Sequence, residues 1–132
     1  MSVERFDPQS VKPALTAARL ERLLRAAAAS EDDDFGLSGD EIAALAPLAK
    51  DDGVDWAAAG ADLDDAQLLA LIRLFTRAEE RFTSWQAGAA SPVIPLAAVL
   101  KARGRYPADL NAWIRSHSRN RFLPYGSLLD RL

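Results

Sequence analysis

The sequence predicts an all-α protein, a compact bundle of about five helices with an ordered C-terminal strap. Its 132 residues include 26 alanines and 19 leucines, but only 12 valine, isoleucine and threonine residues in total. Alanine and leucine favour helices, whereas β-branched residues favour strands. Apolar residues recur at intervals of three and four, and no stretch shows sustained strict alternation. The length suits one domain, so we expect residues 1–132 to form a single helical domain.

Two helices are predicted in the first half of the chain. One covers residues 10–29, where leucine and alanine residues fall on one side. The acidic stretch 31–36 interrupts this pattern. Ser38 and Glu41 have the three-residue spacing of a capping box, so a second helix should begin there. Because proline disrupts a helix interior, Pro47 should end or kink this second helix.

The longest helix is predicted after a loop at residues 51–56. Asp64 or Asp65 opens it, and Gly88 is a natural stop. Spacings of three and four place seven apolar residues on one face, which should be buried: Leu68, Leu71, Ile72, Phe75, Ala78, Phe82 and Trp85.

Two further helices are predicted in the second half. Residues 91–103 are almost apolar all round, which is typical of a helix at the centre of a bundle, and Gly104 caps them. Residues 107–118 carry another stripe at core spacing, formed by Leu110, Trp113, Ile114 and His117. His117 is the only histidine, and its place on this stripe indicates a structural, partly buried side chain.

The C-terminal segment is unusually apolar for the end of a chain. Pro124 favours an extended conformation at Leu123, so we expect residues 120–132 to leave the last helix as a bent strap. Burial of Phe122 and Tyr125 could contribute about 1.5 to 3 kcal/mol each. The strap either closes the protein's own core or is kept for a partner, and the first alternative is favoured.

Charge is unevenly distributed along the chain. Residues 1–66 hold 15 acidic and 6 basic residues, a balance of −9, whereas residues 67–132 hold 4 and 10, a balance of +6. In the second half, Arg73, Arg77 and Arg81 recur at steps of four and form a basic ridge on one helix. Their mutual repulsion should be offset either by the aspartate-rich first half or by an external phosphate or acidic protein. The internal explanation is favoured.

Several kinds of chemistry are excluded by the composition. The chain has no cysteine, which excludes disulfides, thiolate catalysis and the common structural zinc sites. The acidic stretch 31–36 does not fit an EF-hand, because Ile42 stands where the last carboxylate ligand is required. The sequence has no glycine-rich phosphate loop and no nucleophile at a recognisable spacing from a base. We therefore predict no catalytic residue, no metal and no cofactor.

Glu79 is a carboxylate at the edge of the main apolar stripe, four residues after Phe75 and three before Phe82. Burial would raise its pKa and suit it to general acid chemistry. The favoured interpretation is instead an ion pair with an arginine of a neighbouring helix.

The N-terminal stretch lacks the basic start and apolar run of a secretory signal. Residues 82–100 carry no charge, but Gly88, Pro92 and Pro95 interrupt them, and a membrane-spanning helix needs about 20 predominantly apolar residues. We therefore expect a cytoplasmic protein that does not enter the membrane.

These observations predict a small, non-catalytic protein-interaction or adaptor protein that binds a protein partner or a second copy of itself. The candidate interaction residues are Arg73, Arg77, Arg81, Arg115, Arg119, Arg121, Phe122 and Tyr125. The alternative is a nucleic-acid-binding regulator that uses the basic second half, with residues 91–121 arranged like a helix-turn-helix. Asp109, Asn111, Arg115 and Arg119 could then reach base edges. However, Asp109 would repel phosphate, and the net charge of −3 weakens long-range attraction to nucleic acid.

Overall fold

The computed structural model describes residues 15–29, 31–50 and 54–123. These residues form helices and turns with no β-strand, which confirms the predicted all-α fold. The described chain contains six α-helices and two short 3-10 turns, Thr83–Trp85 and Gly88–Ala90. In order, the helices are α1 (Ala17–Ala28), α2 (Gly39–Lys50), α3 (Trp56–Ala61), α4 (Asp65–Arg81), α5 (Val93–Ala102) and α6 (Leu110–His117).

Helix α4 organises the bundle, because α1, α5 and α6 all pack against it. It begins with a capping box, in which the Asp64 side chain accepts from the Gln67 amide at 2.7 Å and the Gln67 side chain accepts from the Asp64 amide at 3.0 Å. All seven residues of the predicted stripe are buried. Helix α5 packs against α4 and α3, and its buried residues are Val93, Leu96, Ala97 and Leu100.

The first two helices differ from their predicted bounds. Thr16 caps α1 by accepting from the Arg19 amide at 3.1 Å, so the helix begins at Ala17. Residues 15 and 16 were predicted to be helical, and this part of the prediction is wrong. Residues 10–14 lie outside the described residues. Helix α2 begins after the Ser38 capping box, as predicted, but it continues through Pro47 to Lys50. Pro47 is exposed, so the acceptor that it leaves unpaired lies at the surface, where water can bind it.

Helix α3 was not predicted, because its six residues follow a polar stretch that resembles a loop. Asp55 caps it by accepting from the Ala58 amide at 3.0 Å. Trp56 is buried, and its indole nitrogen donates to the Leu48 carbonyl at 3.1 Å. Its ring also packs edge-on against Phe75, with 5.2 Å between the centroids. The helix is therefore held in place by contacts distant in sequence.

Helix α4 ends seven residues before the predicted stop at Gly88. Phe82 adopts an extended conformation, and a 3-10 turn follows at Thr83–Trp85. This change of direction buries both Phe82 and Trp85, and the indole of Trp85 donates to the Ile42 carbonyl at 2.9 Å.

The last described segment, residues 118–123, lies against the bundle through Ser118 and Leu123, both buried. Phe122 is 57% exposed, so its predicted packing on the core is wrong. The Asn120 side chain accepts from the Phe122 amide at 3.0 Å, and the resulting turn directs Leu123 inward and Phe122 outward. Tyr125 and the rest of the predicted strap lie outside the described residues.

His117 is exposed at the end of α6, so its predicted burial is wrong. Trp113, one turn earlier, is itself only half-buried, and the histidine ring stacks on it with 4.2 Å between centroids. The remaining stripe residues, Leu110 and Ile114, are buried as predicted. Nowhere in the described ranges is a helix both long enough and apolar enough to cross a bilayer.

Candidate functional site

The three arginines of the predicted basic ridge lie on α4, and each has a different neighbour. Arg81 donates to a carboxylate oxygen of Asp34 at 3.0 Å. The guanidinium carbon of Arg77 lies 5.0 Å from the ring centroid of Phe35, and that of Arg73 lies 5.7 Å from the ring of Trp113. The acidic half therefore neutralises one end of the ridge, whereas the other two arginines contact aromatic rings.

Arg73 and Arg77 border a groove of about 310 Å³ between α1, the loop before α2, α4 and α6. We call it the arginine groove, and it is lined by Ala27, Phe35, Ala70, Arg73, Leu74, Arg77 and Trp113. Leu74 and Phe35 are almost fully buried and form an apolar floor. Phe35 reaches this position because it adopts a left-handed conformation, with φ of 57°, at the end of the acidic loop. The site therefore combines an apolar seat with two cationic groups.

Arg73 takes part in none of the ion pairs formed among the described residues. Its guanidinium lies over the Trp113 ring, and such a cation–π contact is worth about 0.5 to 1 kcal/mol at an exposed site. This contact is not an ion pair, so the charge of Arg73 is not neutralised by a carboxylate of the described residues.

The other predicted interaction residues do not join this groove. Arg115, Arg121 and Phe122 are exposed elsewhere on the surface, and Tyr125 lies outside the described residues. Arg119 is held by Glu80, which accepts from its backbone amide at 2.9 Å and from its side chain at 3.1 Å. The candidate set is therefore divided among separate surfaces.

The helix-turn-helix alternative depends on residues that the structure assigns to internal contacts. Asn111 accepts a hydrogen bond from the Tyr106 hydroxyl at 2.5 Å, and Arg119 is paired with Glu80. Helix α6 packs chiefly against α4. Of the proposed base-reading residues, Arg115 has no ion pair with another described residue.

A second concave site surrounds the carboxyl group of Glu79. We call it the Glu79 pocket; it measures about 250 Å³ and is lined by Glu79, Glu80, Gln86, Ala87, Gly88, Arg119 and Asn120. Glu79 is only 2% exposed, and its Oε2 accepts from the Ser91 hydroxyl at 2.5 Å. The predicted ion pair between Glu79 and an arginine is not found in the described part of the chain; Ser91 takes that place.

Burial raises the pKa of Glu79 to about 7, since a low-dielectric surrounding disfavours the charged form. The Ser91 hydrogen bond and the nearby Asn120 amide lower it, and the charge of Glu80 raises it further. The Asn120 amide nitrogen donates to the Gly88 carbonyl at 3.0 Å. It does not complete a hydrogen bond to Oε1 of Glu79, which has no partner.

Several residues of the two sites escaped prediction. Trp113 carries the signal of a core residue, and only the fold shows that it is half-buried and lines a groove. Ser91 begins the predicted helix at residues 91–103, but its hydroxyl also donates to Glu79, 12 residues earlier in the chain. Asn120 gives no periodic signal at all, because its role depends on contacts with Gly88, 32 residues earlier.

Comparison with known proteins found no matching family model, no similar curated protein and no similar solved structure. No function is therefore transferred from a relative.

Proposed function

We propose that the protein is a non-catalytic interaction module whose arginine groove captures a segment of a partner protein. The segment carries an acidic side chain beside a large apolar one. The observation that supports this proposal is the apolar floor of the groove bordered by Arg73, a cation held over Trp113.

The apolar floor favours a side chain of the partner. Leu74 is 2% exposed and forms the bottom of the groove together with Phe35. A volume of about 310 Å³ is at the lower limit for a small-molecule site and is large enough for one anchoring side chain. Burying a Leu, Phe or Met side chain there would contribute about 1.5 to 3 kcal/mol.

The cationic border favours a carboxylate next to that anchor. An arginine can bind a carboxylate through two parallel hydrogen bonds, which are stronger than neutral ones. None of the seven lining residues is acidic, so nothing in the lining competes for Arg73. The lining also offers no hydroxyl, carboxylate or imidazole, which fits binding rather than catalysis. Cytoplasmic action and self-association remain predictions from the sequence.

Selection from a displayed library of random peptides tests the proposal. We expect the selected peptides to share an Asp or Glu close to a Leu, Phe or Trp. Arg73→Glu should weaken their binding at least tenfold, which corresponds to about 1.4 kcal/mol. Arg115→Glu is the matched control, because it reverses one exposed arginine on α6 outside the groove and should leave peptide binding unchanged.

Two results would overturn the proposal. One is a peptide set without acidic residues, or one that binds Arg73→Glu as well as the original protein. The other is tight binding of duplex DNA with a steep salt dependence that Arg115→Glu abolishes, because this would favour the nucleic-acid alternative.

A truncated protein lacking residues 124–132 should be compared, because improved peptide binding would identify that segment as a competing occupant of the groove.

A further inference from the structure

We propose that the Glu79 pocket is a second binding site, which takes a small molecule bearing a protonated amine. The ammonium group would donate a hydrogen bond to Oε1 of Glu79, the one buried side-chain polar atom of the described residues without a partner. This site is separate from the arginine groove: no residue lines both.

The charges around the pocket favour a cation. Glu80 already receives two hydrogen bonds from Arg119, so its charge is largely compensated. Glu79 receives one hydrogen bond from the neutral Ser91 hydroxyl and has no counter-charge among the described residues. A buried carboxylate without a counter-charge is costly, and a bound ammonium would supply the missing charge.

The available oxygens favour an ammonium over a metal ion. Ca²⁺ takes six to eight oxygen ligands, and Mg²⁺ requires near-ideal octahedral coordination. The described residues contain no group of three or more Asp, Glu, His or Cys side chains able to hold a metal together. A single ammonium needs only two or three acceptors, and Oε1 of Glu79 is one of them.

The size of the pocket limits the ligand. About 250 Å³ is less than the usual range for drug-sized molecules and corresponds to roughly eight water volumes. Ala87 and Gly88 contribute an apolar wall for the body of a short amine. Oε1 is buried and Asn120 lies beside it, so the ammonium must move the Asn120 side chain aside to reach the carboxyl group.

The raised pKa of Glu79 provides a readout that does not depend on any variant. A cation bound at the carboxyl group favours its ionised form, so the pKa of Glu79 should fall from about 7 when an amine is present. Carbon-13 NMR of the side-chain carboxyl would follow this titration in the full chain. Before an amine binds, Glu80, Arg119 and Asn120 line the same pocket as Glu79, and the Ser91 hydroxyl donates to its carboxyl group.

The experiment uses butylamine and ethanolamine as probes, with butanol as the neutral analogue of butylamine. We expect both amines to shift the amide signals of residues 86–88 and 118–120 in a saturable manner, and butanol to produce no such shift. Glu79→Gln should weaken amine binding at least tenfold. Asp109→Asn removes an exposed carboxylate elsewhere and should leave binding unchanged.

Three outcomes would overturn the proposal. The first is the absence of saturable shifts with either amine. The second is an equal response to butanol, which would indicate an apolar cavity without selectivity for cations. The third is an unchanged pKa of Glu79 at saturating amine in the original protein. The last measurement stands even if Glu79→Gln does not fold, and none of the three bears on the arginine groove.

Discussion

The pKa of Glu41 is lowered and that of Glu79 is raised, because their surroundings differ. Arg22 donates to both oxygens of Glu41, at 2.7 and 3.1 Å, and together with the Ser38 amide it lowers the pKa of Glu41 to about 2. Glu79 accepts a hydrogen bond from the neutral Ser91 hydroxyl, and burial raises the pKa of Glu79 to about 7. Glu41 therefore contributes stability that is lost as the pH falls towards 2.

Glu79 gives a different pH dependence, which Glu79→Gln should remove. Its folded-state pKa is higher than the ordinary value, so the folded protein holds a proton that the unfolded chain releases between about pH 4.5 and 7. Over this range Glu79 lowers the free energy of unfolding by at most about 1.4 kcal/mol per pH unit. Urea denaturation at pH 5, 6, 7 and 8 should therefore show the variant gaining stability relative to the original protein as the pH rises. A difference that does not change with pH would contradict the raised pKa.

His117→Ala should change the free energy of unfolding by only about 0.5 kcal/mol or less. The ring is exposed, and the variant loses its stacking on Trp113 and its contacts with the Trp113 carbonyl and the Ser116 hydroxyl. Ile114→Ala, a buried position on the same helix, should cost about 2 to 5 kcal/mol. Thermal and urea denaturation would measure both variants. Equal losses of stability in His117→Ala and Ile114→Ala would show that His117 is part of the core.

Helix α2 continues through Pro47, although proline disfavours the interior of a helix. Ser38 and Glu41 fix its start through reciprocal hydrogen bonds of 3.0 and 3.1 Å, as predicted. Pro47 interrupts the hydrogen bonding on the exposed side, while Leu45 and Leu48 remain buried on the other. Packing of the apolar face therefore outweighs the local cost of proline.

Pro47→Ala should stabilise the protein by about 1 to 3 kcal/mol, because alanine restores the backbone donor at an exposed position in the helix interior. Pro95→Ala is the control. Pro95 lies in the first turn of α5, where the backbone donor has no partner within the helix, so the change should have little effect. Chemical denaturation would measure the free energy of unfolding of both variants, and an unchanged m-value would show that only stability has changed. A loss of stability in Pro47→Ala would show that α2 depends on the proline conformation.

At the scale of the whole molecule, the acidic and basic halves meet at a few defined positions. Arg81 pairs with Asp34, and Arg103 and Arg105 both pair with Asp65. These side chains are substantially exposed, and such pairs are worth about 0 to 1 kcal/mol each. The charge asymmetry thus contributes modestly to folding, and the apolar contacts of α4 with its neighbours supply the main stabilisation.

Gly60 lies where α3 packs tightly against α4 and α5. A side chain added there would meet Leu68 at 3.1 Å and Leu96 at 3.2 Å. Gly60→Val should therefore destabilise the protein by about 1 to 3 kcal/mol through overpacking. Gly39→Val is the matched control, because nothing lies within 4 Å of the added atom at that position. Similar melting temperatures for the two variants would contradict the close packing of α3.

The sequence alone determined the features that depend on neighbouring residues. These include the all-α class, the buried stripe of α4 and the caps at Ser38 and Asp64. Each rests on spacings of three or four residues, because helical periodicity and capping hydrogen bonds join residues one turn apart. The left-handed conformation of Gly104 after α5, with φ of 69°, follows from the same local rules.

Only the tertiary structure decided the features that join distant parts of the chain. The end of α4 depends on the hydrogen bond from Trp85 to Ile42, which are 43 residues apart. The arginine groove requires Arg73 to meet Trp113, and the Glu79 pocket forms where the end of α4 meets the segment after α6. Such contacts leave no periodic signal, because the packing of whole helices sets them, and many pairs of residues could satisfy the same local pattern.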